Sequence, residues 1–411
     1  MRAAAALVLL LTDPAIAVSP ALSPAPRVFL ARQRPLRAAP RCSSSDPATE
    51  VARWCVANGQ SDAAVVVSGA TGLAEAMRDF WYVTHSIGTT DDAAPLTALA
   101  FPAWSAAADG SLFERVFQHV GSCSQLSDYL GDDVLCLARH PTASDSPPPH
   151  PTMLLRRHAQ SGFSSLSSEE DEYFGGVDPF AELEARLASD APPPPPPASD
   201  EQVLATTHAW VKAVIVDMKV CPFSHSVDKA GLPQGGVTYP ITRASSVEQL
   251  YQAFWEQVGE LDRVDEREVA TVLLLAPEFT SGSAEGFDAF ADSLNEALTS
   301  LKLEEKLQLV FFHPGFAFRD GKERMGGEGA AANFARRSPV PMINLLRTPQ
   351  VRAAQKGIPT GSVYDTNEKN LASVGSEQLQ EMLHRCEWSA LEGRTYLPHQ
   401  TRAAIESAAN R

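Results

Sequence analysis

The sequence predicts an α/β fold, sheets layered with helices, and three observations carry that expectation. Apolar runs of strand length alternate with amphipathic helical segments through the second half of the chain. Two of those runs, Ala270 to Ala276 and Leu307 to Phe312, are apolar almost throughout, as strands covered on both faces are. Anchor residues of the first half reappear in order in the second, so the layered unit is expected twice in tandem, a degenerate N-terminal copy and an intact C-terminal one.

A chain of 411 residues exceeds one ordinary domain. Residues 1–43 read as a leader. Arg2 precedes an apolar run from Ala3 to Leu11, and Ala15-Ile16-Ala17 supplies small residues suited to signal cleavage. Val18 to Arg41 then holds five arginines and no acidic residue, which is transit-peptide composition. A signal peptide followed by a transit peptide points to a plastid of secondary origin, with a mitochondrial presequence as the alternative. The degenerate copy is expected over residues 44–163. A linker over residues 164–199 follows, with serines, the acidic run Glu169 to Glu172, six prolines from Pro192 to Pro197 and a short helical stretch at Asp178 to Leu187. Polyproline lacks backbone donors and stays extended, so this segment is read as a semi-rigid spacer.

The intact copy is expected over residues 200–395, with a tail at 396–411. Its first helix runs from Asp200, the proposed N-cap, to Val220, with Val203, Trp210, Val214 and Met218 at helical spacing. Val237 to Thr242 reads as a strand. Ser246 to Leu261 reads as a helix capped by Ser245 or Ser246, with Val247, Leu250, Tyr251, Phe254 and Val258 on one face. The strand at Ala270, a helix from Ser283 to Leu301 and the strand at Leu307 follow. After a Gly-rich loop from Gly315 to Ala332, Ser338-Pro339 is expected to open a helix, and Gln378 to His384 to begin a last one.

In the first copy, Trp54 answers Trp210, Val65 to Ser68 answers Tyr239 to Thr242, and Phe80-Trp81 answers Phe254-Trp255. Leu99 to Pro102 matches Leu274 to Pro277, and His140-Pro141 matches His313-Pro314. Pro149-His150-Pro151 with Leu154-Leu155-Arg156 matches Pro339-Val340-Pro341 with Leu345-Leu346-Arg347. The first copy lacks Cys221-Pro222-Phe223 and most of the loop up to Arg337. Chemistry resides in loops and packing in frameworks, so a site is expected in the second copy.

Composition narrows the function. A net charge of −16 argues against nucleic-acid binding and against an anionic membrane as partner of the mature protein. The six cysteines form no C-x-x-C pair and no Cys/His cluster of zinc-finger spacing, so neither a structural metal nor a disulfide scaffold is expected. The Gly-rich loop matches no Walker or dinucleotide fingerprint, and the cofactor stays unknown.

Three motifs carry chemistry. Pro222 suits the first position of a helix, which would make Cys221 its N-cap, where the dipole favours a thiolate; equally, Cys221 closes the preceding helix as a small core hydrophobe. His313 stands at the C-terminal end of a buried strand, where α/β sheets bind ligands, or else is a histidine bonded to backbone beneath the Gly-rich loop. Arg336-Arg337-Ser338-Pro339 suggests a helix N-terminus that attracts an anion, with Asn333 orienting it; alternatively the arginines neutralise neighbouring carboxylates.

Residues 200–388 resemble domain-of-unknown-function family 1415, a largely bacterial family with no established activity. Carrying the resemblance are the Trp210 helix ending in Cys221-Pro222-Phe223, Phe312-His313-Pro314, Asn333 to Pro341 with Leu345-Leu346-Arg347, and Tyr364 with Asn367. Asn344 stands where similar sequences carry histidine, which weakens a site built on two imidazoles and counts against a metal at His313. The expected function is therefore binding of a small anionic molecule by Asn333, Arg336, Arg337, Ser338, Asn344 and Arg347. Cys221 and His313 are placed for acyl-transfer or thiol chemistry. The competing expectation is a non-catalytic binding or assembly module with pseudo-symmetric halves.

Overall fold

The computed structural model describes residues 46–89, 96–104, 112–120, 123, 136–139, 148–157, 198–230, 235–280, 283–320, 323–324, 330–359 and 361–399. The leader, His140 and the expected linker helix lie outside them.

Helix α1 (Pro47–Ala57), strand β1 (Ala64–Val67), helix α2 (Leu73–Thr89) and strands β2 (Thr97–Ala100), β3 (Cys136–Arg139) and β4 (Thr152–Arg157) build the first unit. Its sheet has the order β1-β2-β4-β3, with β1 parallel to β2 and β4 antiparallel to both neighbours.

Helix α3 (Asp200–Trp210) opens the second unit. Ser199, rather than Asp200, caps it: its hydroxyl accepts from the Gln202 N–H while the Gln202 side chain returns to the Ser199 N–H. Strand β5 (Gly236–Thr238), helix α4 (Val247–Arg263), strand β6 (Val269–Leu275), helix α5 (Ala284–Ser300) and strand β7 (Leu307–Phe312) follow the sequence expectation closely. Ser246 caps α4 through a second capping box, with Gln249.

The segment after Ser338 departs from expectation. No helix starts there; Met342–Arg347 is strand β10, seated between β6 and β7 and antiparallel to both. The order β5-β6-β10-β7, with β5 parallel to β6, repeats that of the first sheet. Pairing on both sides satisfies the β10 backbone, which decides for strand a run whose apolar pattern has no clear period. The short pair β8 (Arg319–Asp320) and β9 (Glu323–Arg324) precedes it. Helices α6 (Thr348–Gln355), α7 (Ser362–Ala372) and α8 (Ser376–Arg385) complete the unit. The domain runs past residue 395: Tyr396 is buried and the Leu397 N–H donates to Asn370 Oδ1 at 2.8 Å.

Strand pairing also corrects one anchor between the halves. Leu154 lies opposite Ala98 as Asn344 lies opposite Leu273, so overlaying the sheets sets Leu154 against Asn344. Matching Leu154 to Leu345 would be one residue out of register, on the opposite sheet face.

The main core lies between the two sheets. Helices α2 and α4 meet there, with Trp81 stacked on Tyr251 at 4.5 Å, and Gln249 bonded to His85. Phe254, Trp255, Val272, Leu274, Ile343 and Leu345 extend this core on one side, and Leu99, Met153 and Leu155 on the other. Alternation along the strands turns Leu273, Phe312, Met342 and their neighbours to the opposite face of the second sheet, under α3.

Candidate functional site

Helix α3 continues as a π-helix over Val211–Asp217, whose wider turn shows in the Met218 N–H bonding to the Ala213 carbonyl at 3.1 Å. Such turns are rare and recur at functional sites. Beyond it Lys219 adopts a left-handed conformation (φ 59°) and the Cys221 N–H reaches back to the Ile215 carbonyl at 3.2 Å. Residues 221–224 form a turn, so Pro222 starts no helix and Cys221 is not an N-cap. The carbonyls leaving the helix are each taken by a distant side chain. Asn370 Nδ2 donates to Met218 O at 3.2 Å, His399 Nε2 to Lys219 O, and Asn367 Nδ2 to Val220 O at 2.9 Å.

The thiol of Cys221 is pulled both ways. Burial pushes its pKa up and is the largest effect; the Ser224 hydroxyl, the Phe223 and Ser224 N–H groups and the positive Arg336 act against it. The residue is only partly covered, and what it exposes lines a cavity of about 470 Å³. That volume is in the range of small-molecule sites.

The cavity floor is the α3-facing side of the second sheet, where Thr271 and Leu273 of β6, Asn344 and Leu346 of β10, and Val310 and Phe312 of β7 alternate outward. The turn at Cys221 and residues of α7, Tyr364 and Asn367 among them, close it. Arg336 contributes its guanidinium, held over the rings of Phe312 and Phe316 and bonded to the Phe311 carbonyl at 3.5 Å. Asn344 Oδ1 accepts from the Thr271 hydroxyl at 2.5 Å. Three of the residues singled out in the sequence therefore meet here: Cys221, Arg336 and Asn344.

The others serve the frame. His313 is buried at the strand end as expected, but both ring nitrogens are engaged: Nδ1 accepts from the Gly315 N–H at 3.0 Å and Nε2 pairs with the Thr280 carbonyl at 3.0 Å. That pattern fixes the neutral tautomer with its proton on Nε2. Its ring also stacks on Phe287. Asn333 accepts from the Phe318 N–H at 3.0 Å. Arg337, stacked over Phe334, donates to the Phe316 carbonyl and to Gln380. Ser338 is fully buried and donates to the Val340 carbonyl at 2.6 Å, closing a local turn in place of the expected anion-binding helix end. Arg347 donates to the carbonyls of Val269 and Val264.

A second hollow of about 530 Å³ shares Cys221 to Ser224 with the first and adds Lys219, His225 and His399. The imidazoles that share a hollow with the thiol are thus His225 and His399, neither of which stood out in the sequence. Asn367 was visible only as part of a family pattern, and the role of Thr271 was not visible at all. Among the described residues no group of three or more His, Cys, Asp and Glu side chains is arranged to hold a metal ion. No described helix is long and apolar enough to cross a membrane.

No curated protein and no solved structure matches the chain. Residues 202–381 match the model of the family described as protein of unknown function, DUF1415. The match spans α3, the π-helix, the Cys221 turn, both flanks of the sheet and most of α8, so the domain that holds the cavity is a member of the DUF1415 family.

Proposed function

We propose that the C-terminal domain binds a small anionic molecule with an apolar body in the cavity beside Cys221. The supporting observation is the make-up of its wall. The described lining residues include Arg336 and Lys356, with Arg352 paired to Glu305 outside the lining, and no carboxylate, set around an apolar floor. The half-buried Arg336 guanidinium beside that floor favours an anion. Thiol chemistry would run through Cys221 alone or with His225 or His399, because the ring nitrogens of His313 are committed to Gly315 and Thr280. The test is calorimetry of the full chain with isocaproic acid and with isoamylamine, its cationic counterpart of similar size. Binding of the acid, weakened by Arg336→Met, supports the reading; equal binding of the amine, or none of either, overturns it.

A second reading is an assembly module made of two pseudo-symmetric halves. It is favoured by the shared strand order and by the packing of α2 on α4, helices that correspond in sequence. Tandem duplication is part of that reading. Cys221→Ser distinguishes the two: it alters ligand chemistry in the first and leaves a purely structural role intact. Residence in a plastid is proposed from the arginine-rich, acid-free leader alone.

A further inference from the structure

The polar groups on the cavity wall constrain the ligand beyond its charge. Asn367 is 4% exposed, and its Nδ2 is committed to the Val220 carbonyl. A carbonyl only accepts, so this bond fixes the orientation of the amide and leaves Oδ1 as an acceptor. That oxygen is buried and has no partner among the described residues, in a side chain that lines the cavity. A buried acceptor is costly to leave unmade, and a ligand donor would satisfy it.

Asn344 is another amide that lines the cavity. Its amide is bonded to the Thr271 hydroxyl at 2.5 Å, and that hydroxyl also reaches the Leu345 carbonyl at 2.9 Å. The side chain lies on the cavity face of β10. The wall thus combines one unpaired amide acceptor, on Asn367, with the Arg336 guanidinium. The donor that meets Asn367 must be neutral, because an ammonium group would face Arg336 and Lys356 with no described lining carboxylate to offset them.

Building on the ligand-binding reading above, we propose that the cavity takes a carboxylic acid whose apolar body also carries a neutral O–H or N–H donor. Its carboxylate meets Arg336, and its donor meets Asn367 Oδ1. Hydroxy acids and N-acylated amino acids share this chemistry.

The test is calorimetry on the full chain with three acids of one skeleton: isocaproic acid, leucic acid (the same skeleton with a hydroxyl) and N-acetylleucine. Leucic acid or N-acetylleucine should bind roughly tenfold more tightly than isocaproic acid, the worth of one buried hydrogen bond. Which of the two binds separates the O–H source from the N–H source. In Asn367→Ala that advantage should shrink to within about twofold. Isocaproic acid, which does not use Asn367, reports whether the variant keeps its cavity. Equal binding of all three acids by the wild-type protein overturns the proposal while leaving the ligand-binding reading standing, and needs no variant. An advantage that survives Asn367→Ala in a folded protein overturns it as well. If none of the three binds, the broader reading fails with it.

Discussion

Asn367 donates to the carbonyl of Val220 at 2.9 Å across 147 residues of sequence. One turn further along α7, Asn370 does the same for Met218 at 3.2 Å. The turn that carries Cys221 is thereby held by a helix from the far end of the domain. A π-helix shifts the register of its exit carbonyls, and these two amides satisfy the groups that the shift leaves over.

Removing Asn370 should therefore be expensive. The residue is 2% exposed, donates to the Met218 and Leu397 carbonyls, and accepts from the Leu397 N–H. Asn370→Ala should cost roughly 2–4 kcal/mol in urea unfolding, since buried polar groups are left unpaired. A change below about 0.5 kcal/mol would show that the clamp contributes little to stability.

Much of the framework was legible in the sequence because its signals are local. Ser246 with Gln249 marks the start of α4, and the spacing of Val247, Leu250, Tyr251, Phe254 and Val258 gives its buried face. The strand Leu307–Phe312 was legible to the residue. Strand β10 was not, because Ser338-Pro339 also suits a helix start, and only the pairing with β6 and β7 decides against one. The site was legible in part. Cys221 and Arg336 stood out by residue type, whereas Asn344 acquires its role from alternation on a strand taken for a helix. Asn367, Asn370 and His399 act through contacts 147 to 180 residues away in sequence, which no local pattern records.

Gly259 offers a test of the contact between the halves. It lies inside α4, where a Cβ would meet the Ala74 Cβ at 3.6 Å, an ordinary contact. Gly259→Ala should stabilise the protein by about 0.5–1 kcal/mol, the usual gain from removing glycine from a helix interior. Destabilisation measured by thermal or urea unfolding would mean that α2 and α4 approach more closely than this.

The same core contains a pH-sensitive group. His119 is 1% exposed and burial lowers its pKa to about 4, so the folded protein holds it neutral. The unfolded chain protonates it below its ordinary value of 6.5. Between these values the unfolded state binds more protons, so the contribution is complete above pH 6.5 and is lost as pH falls toward 4. Unfolding free energy should drop by about 2 kcal/mol from pH 7 to pH 5 on account of this group. His119→Gln should flatten that part of the profile; an unchanged slope would rule out His119 as its source.

The thiols should be distinguishable by alkylation. Cys386 is exposed, while Cys221 is half-buried in the cavity wall; burial pushes both pKa values up, and Cys221 is the more covered. At neutral pH iodoacetamide should label Cys221 roughly tenfold more slowly than Cys386. Arg336→Met should slow Cys221 further, because it removes a charge that favours the thiolate. Faster labelling at Cys221 would mean that its N–H donors and Arg336 outweigh burial.

Ligand binding beside Cys221 is tested most directly by protection of that thiol. Iodoacetamide labelling of Cys221 and Cys386 is followed peptide by peptide in the full chain, with and without saturating leucic acid. The expected result is a roughly tenfold slower reaction at Cys221, as for a site whose access is blocked at about ninety per cent occupancy, with Cys386 unchanged. A Cys221 rate that stays the same under saturating acid would contradict a ligand site in this cavity.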